Sequence, residues 1–188
     1  MASTSEPSPG LDTGPEADPE SVARKILLDQ LTGRARTRSE LAGKLAARDV
    51  PVDVATRLLD RFEEVGLIDD QKFAREWIEQ RQSGRGLARR ALAMELRRKG
   101  IVDEVAREAL DEIEPDDEVE AARALVRAKL RSVRSLDHDK AVRRLVGVLA
   151  RKGHSSSVAF TVVKEELATV VPEGTGVAGS VEAGELDW

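Results

Sequence analysis

The sequence predicts an all-α protein, three tandem three-helix repeats flanked by disordered acidic termini. Three observations carry that expectation. Ala, Leu, Arg and Glu dominate, with 35% charged and only 3% aromatic residues, a balance that favours helices packed through aliphatic cores. Apolar residues step by three or four positions along one face of the stretches between the two ends. Three segments also align in register: SELAGKLAARDVPVDVATRLLDRF (39–62), RALAMELRRKGIVDEVAREALDEI (90–113) and RRLVGVLARKGHSSSVAFTVVKEE (143–166). Leu41, Leu92 and Leu145 coincide, as do Leu45, Leu96 and Leu149; Ala55, Ala106 and Ala159; and Leu59, Leu110 and Val163. The offsets are 51 and 53 residues, room for about three short helices per repeat. Repeats are expected at 18–68, 69–115 and 116–170, with tails at 1–17 and 171–188.

Each repeat opens with its own helical stretch. PESVARKILLDQLTG (19–33) places Pro19 at the first helical position after Asp18. The next helix begins with TRSE (37–40), a capping box in which Thr37 and Glu40 satisfy each other's free backbone donors. Val54, Leu58, Phe62 and Val65 then form the apolar stripe of a third helix. Gly66 is a natural helix stop, because glycine tolerates the left-handed conformation that satisfies the last carbonyls. In the second repeat, DDQKFAREWIEQRQ (69–82) is a helix with Phe73 and Trp77 on one face, and GRG (84–86) is the turn that follows it. In the third, DEVEAARALVRAKLRSV (117–133) carries Val119, Ala122, Val126, Leu130 and Val133 along one face. VAFTVVKEELATVV is valine-rich enough to suggest a strand, but Ala159, Val163, Leu167 and Val170 keep helical spacing and the repeat register favours helix. The tails hold too little apolar surface to offset the entropy of ordering.

The adjacent aspartates of VGLIDDQKFAREW (65–77) are the first place to look for chemistry. Catalysis by a carboxylate pair needs a pocket and further acid, base or cationic groups, and DD followed by QKF has no calcium-loop spacing. Asp69 fits the N-cap of the following helix, Asp70 its dipole-favoured first turn, and Ile68 can staple onto Phe73. The pair reads as structural. No cysteine is present and the histidines are only His138 and His154, which leaves no economical zinc set. His154 stands where Val50 and Ile101 stand in the other repeats, and reads as a half-buried turn residue. GRG lacks the third glycine of a dinucleotide fingerprint, and no GxxxxGK[ST] occurs. No catalytic residue, metal ligand or cofactor site is assigned, and a non-enzymatic protein without a small-molecule substrate is expected. The N-terminus lacks a secretory pattern and no run of about 18 apolar residues occurs, so the expected location is cytoplasmic, with no membrane partner.

The net charge of −5 hides an uneven distribution. Residues 1–20 hold five acids and 171–188 hold four, with no base in either. All 30 Lys and Arg therefore face the remaining 26 acids within 21–170. Within that body, 39–70 carries eight acids and four bases, whereas 81–99 carries Arg81, Arg85, Arg89, Arg90, Arg97, Arg98 and Lys99 against Glu95 alone. Arg123, Arg127, Arg131 and Arg134 step by four, four and three into one arginine ridge, and Arg143, Arg144, Arg151 and Lys152 follow. Positive charge concentrated in the second and third repeats points to an anionic partner, a phosphate backbone or an acidic protein surface. Base stacking is not indicated, because Phe62, Phe73, Trp77 and Phe160 all fall at core-like positions.

RARTRSEL (34–41), FEEVGLIDDQKFAREW (62–77), a glycine-containing turn and RRALAMELRRKGI (89–101) together resemble the RecX family of bacterial recombinase regulators, over about residues 20–170. That resemblance implies an elongated, curved array of three three-helix units. It also implies a non-enzymatic regulator that binds the RecA recombinase, typically in the groove of its filament on single-stranded DNA; a monomer is expected. Such a protein restrains filament growth, ATP hydrolysis and strand exchange, and so moderates recombination and the SOS response. Some members also bind DNA, which makes single- or double-stranded DNA a further candidate partner. The cations expected to contact partner or DNA are those of 81–99 named above, the ridge from Arg123 to Arg134, and Arg143, Arg144 and Lys152. The alternative is a helix-turn-helix transcriptional regulator, but its would-be recognition helix (53–64) carries Asp53, Asp60, Glu63 and Glu64 against Arg57 and Arg61. A net negative helix suits the major groove poorly.

Overall fold

In the computed structural model the described residues are 18–170, and their regular structure is all helix; the expected disordered tails lie outside them. The order is α1 (Pro19–Leu31), α2 (Arg38–Ala46), α3 (Val52–Glu64), α4 (Asp70–Arg85), α5 (Arg89–Arg98), α6 (Asp103–Asp111), α7 (Pro115–Lys129), a short 3₁₀ turn (Leu130–Val133), α8 (His138–Arg151) and α9 (Ser156–Val170). The valine-rich last segment is helix, as the register requires. The helix expected over 117–133 instead tightens into the 3₁₀ turn after Lys129, and Val133 is buried there.

Two compact units make up the described chain. One holds the residues up to Glu76 together with Leu96–Ala106; the other holds Trp77–Glu95 and the residues from Arg107 onward. In the first, α1, α2 and α3 pack through Ala23, Leu27, Leu41, Leu45, Leu58, Leu59 and Phe62, closed by Val50 and Ile68. In the second, α7, α8 and α9 pack through Ala122, Val126, Ala141, Leu145, Leu149, Ala159, Val162 and Val163. The register-matched leucines Leu41, Leu92 and Leu145, and Leu45, Leu96 and Leu149, are all fully buried. Each contributes about 1.5–3 kcal/mol by leaving water.

Two expected core positions are on the surface instead. Phe160 is 56% exposed: the buried stripe of α9 runs Ala159, Val162, Val163 and Glu166, and Phe160 lies roughly 100° around the helix from Ala159. Val65 is 53% exposed because α3 ends at Glu64 and the chain turns away from the stripe.

Candidate interaction surface

The segment around the paired aspartates joins α3 to α4 by local rules. Gly66 adopts a φ of +72°; its N–H donates to the Glu63 carbonyl at 2.9 Å and that of Leu67 to the Phe62 carbonyl at 2.8 Å, the paired bonds of a Schellman ending. Asp69 Oδ1 accepts the Lys72 N–H at 2.7 Å, the N-cap bond expected for α4. Ile68 and Phe73 are buried. Asp70 has a second task that local spacing could not reveal. Its Oδ1 accepts the backbone N–H of Arg38 at 2.9 Å, so it also serves the opening turn of α2. Burial raises the Asp70 pKa above the ordinary carboxylate value, with Glu63 and Asp69 adding to the rise and the Arg38 hydrogen bond and charge opposing it. Arg38 spans Asp60 and Glu63, each at 2.6 Å.

The Thr37 cap also does more than its capping box predicts. Thr37 Oγ1 accepts the Glu40 N–H at 3.1 Å and donates to the Lys99 carbonyl at 2.7 Å. Burial pushes the Glu40 pKa up, but the Lys99 ammonium, 2.7 Å away, and the Thr37 backbone N–H outweigh it and hold the group below its usual value.

The candidate cations separate into two kinds. Some are built into the fold. Arg81 donates to Glu95 Oε2 at 3.0 Å and lies 3.9 Å over the Trp77 ring, whose Nε1 donates to the same carboxylate at 2.9 Å. Trp77 is accordingly half-buried rather than enclosed. Arg89 donates to Asp111 at 3.1 Å and to the Ile113 carbonyl at 2.9 Å. Arg97 meets Asp103 at 3.1 Å, and Lys99 holds Glu40 as above. Arg123 bridges Glu120 at 2.6 Å and Glu165 at 2.8 Å, which lift its pKa further above the ordinary guanidinium value. Arg127 grips the buried Glu166 with two bonds of 2.9 and 2.8 Å. The upper half of the arginine ridge is therefore a clamp between α7 and α9.

The others point outward. Arg85, Arg90, Arg131, Arg134 and Arg144 are exposed and make no ion pair among the described residues. Arg98 is exposed. Arg143 is exposed and donates only to the Asp139 carbonyl of its own helix, at 3.2 Å. Lys152 is half-buried, and its carbonyl accepts the Ala88 N–H at 3.0 Å.

His154 is enclosed rather than half-buried. Its Nε2 lies 3.1 Å from the Gly86 carbonyl and its Nδ1 3.9 Å from Glu118 Oε1. Burial lowers its pKa, with Gly86 and Glu118 opposing. Among the described residues no group of three or more His, Asp or Glu is arranged to hold a metal ion, and no helix is long and apolar enough to cross a membrane.

Comparison with known proteins matches all three repeats to three-helix domains described for RecX: the first over residues 23–62, the second over 69–110 and the third over 116–163. A Streptomyces lividans protein named Regulatory protein RecX is 51% identical over 153 residues, 81% of each chain. The chain belongs to the RecX family of regulatory proteins. A RecX protein of Mycolicibacterium smegmatis is 48% identical over 172 residues, 88% of this chain and 92% of that one. The crystal structure of RecX from Lactobacillus salivarius shares the fold with a TM-score of 0.72 at 22% identity, covering 78% of this chain and 96% of that chain. A second RecX crystal structure gives a TM-score of 0.70 at 26% identity, over 79% of this chain and 72% of that one. The helix-only architecture of three three-helix RecX domains is thus the one the repeat register predicts.

Proposed function

We propose that this chain binds RecA, in the groove of the RecA filament on single-stranded DNA, and restrains its ATP hydrolysis, filament growth and strand exchange without catalysing a reaction itself. In a cell it would act in the cytoplasm, moderating recombination and the SOS response. The observation that carries this reading is membership of the RecX regulatory family over most of the chain. The electrostatics support it: Arg85, Arg90, Arg131, Arg134 and Arg144 of the second and third repeats are exposed without an ion pair among the described residues, as are Arg34 and Arg48 of the first, whose Arg38 is spent on Asp60 and Glu63. Three repeats taken as 18–68, 69–115 and 116–170 offer several modest contacts to successive protomers, which add through effective concentration.

The test is a titration of this protein into RecA on single-stranded DNA, reading ATP hydrolysis and strand exchange. Inhibition at well below one molecule per RecA protomer supports the reading. An unchanged RecA activity sinks it, and specific binding to a duplex operator in its place would favour the transcriptional-regulator alternative.

A further inference from the structure

The joint between consecutive repeats recurs with the contributed turn in one register and its closest contact shifted by one position, Ser39 in the first and Ala91 in the second. In the first, Thr37 Oγ1 donates to the Lys99 carbonyl at 2.7 Å. Gly100, at a φ of +75°, faces Ser39 so closely that a Cβ there would stand 2.1 Å from its Oγ and 2.3 Å from its Cβ. In the second, the Ala88 N–H donates to the Lys152 carbonyl at 3.0 Å. Gly153, at a φ of +91°, leaves a Cβ only 2.8 Å from both the Ala91 nitrogen and its Cβ. Thr37 and Ala88 share one register position, Lys99 and Lys152 another, and Gly100 and Gly153 a third. The opening turn of each repeat's second helix thus receives the turn that ends the second helix of the next repeat.

In the third repeat the receiving positions are on α8: Ala141, at the place of Thr37 and Ala88, is buried in the repeat's own core, and Lys140, Arg143 and Arg144 beside it are exposed. Arg144 takes the place of Glu40 and Ala91; those two are half-buried, whereas Arg144 is exposed and makes no ion pair among the described residues. Lys140 takes the place of half-buried Arg36 and buried Leu87, and it too is exposed. Charge is inverted at the centre of the face. Where Glu40 receives the Lys99 ammonium at 2.7 Å, the third repeat presents a guanidinium.

We infer that this face of α8 is a docking surface for an acidic protein segment, with Arg144 receiving a carboxylate where Glu40 receives an ammonium. The inference rests on the proposed function, under which RecA supplies the segment. A phosphate backbone fits less well, because the matching positions of the first two repeats each receive a protein turn. A second copy of this chain fits less well too. The turn its first repeat would offer carries Asp49 at the register of the two glycines, with a φ of +56°, and brings a Cβ where the joint leaves no room.

The experiment measures binding of the labelled full-length protein to RecA filaments on poly(dT), and to bare poly(dT), for wild type, Arg144→Glu and Arg144→Gln. Arg144→Glu should weaken filament binding about tenfold or more and Arg144→Gln less, with thermal midpoint and affinity for bare poly(dT) unchanged. Equal filament affinity of wild type and both variants overturns the inference while leaving the proposed function standing. A matching loss on bare poly(dT) overturns it in favour of a nucleic-acid surface. Concentration-dependent self-association that Arg144→Glu abolishes overturns it in favour of a second copy. Wild type that fails to bind RecA at all removes the proposed function and this inference together.

Discussion

His154 is the residue whose surroundings differ most from its local sequence. It occupies the register position of Val50 and Ile101 and is buried as they are, yet it must satisfy two ring nitrogens. The Gly86 carbonyl can only accept, so Nε2 carries the proton and Nδ1 faces Glu118 as an unpaired lone pair. Burial depresses the folded-state pKa below the unfolded value of about 6.5. The unfolded chain therefore binds the proton first. The resulting stability is complete above the unfolded pKa and is lost as pH falls toward the folded one. Urea midpoints should fall between about pH 7.5 and about pH 5, and that fall should be shallower in His154→Leu; equal slopes would show that another group carries it. Asp69→Ala should cost about 1 kcal/mol through loss of the α4 cap, with Asp69→Asn close to wild type. Asp69 was legible because a cap is a local device. The partners of His154, Asp70 and Thr37 were not, because Gly86, Arg38 and Lys99 lie 68, 32 and 62 residues away in the chain.

At the scale of helices, the arginine ridge was legible as a periodicity, but its division was not. Spacing along α7 says that four arginines share a face; only α9, folded back beside it, determines that Glu165 and Glu166 take Arg123 and Arg127. Arg127→Glu should lower the thermal midpoint by several degrees, since it strands the buried Glu166 carboxylate beside a like charge. Arg131→Glu, exposed and unpaired, should leave the midpoint within about a degree. Calorimetry of the two variants checks the division. The helix-ending glycines give a second comparison. Gly66 has open space around a would-be Cβ, whereas Gly153 has the Ala91 backbone. Gly66→Ala should cost about 1 kcal/mol for the left-handed backbone alone, and Gly153→Ala distinctly more, measured by urea denaturation.

For the molecule as a whole, the repeat register made the fold readable before any contact was known, because leucines that must be buried recur at matching offsets. The interaction surface was legible only as a charge gradient. Among the fourteen candidate cations, Arg81, Arg89, Arg97, Lys99, Arg123 and Arg127 make ion pairs within the chain, and Arg98 is engaged as well. Binding should therefore depend on the outward set. Arg131→Glu with Arg134→Glu is expected to weaken inhibition of RecA ATP hydrolysis while the melting curve stays unchanged, whereas Arg123→Glu with Arg127→Glu should lower both. Equal inhibition by the first pair and wild type would remove the lower ridge from the mechanism.

The twice-built joint also gives the array a direction of growth. A fourth repeat grafted after α9 would meet a receiving face on α8 that needs only an acidic turn in place of a basic one. A repeat grafted before α1 would have to accept Asp49, and the side chain there denies the close approach that Gly100 and Gly153 permit. Lengthening such a protein by design should therefore succeed at the third-repeat end and require Asp49→Gly at the other.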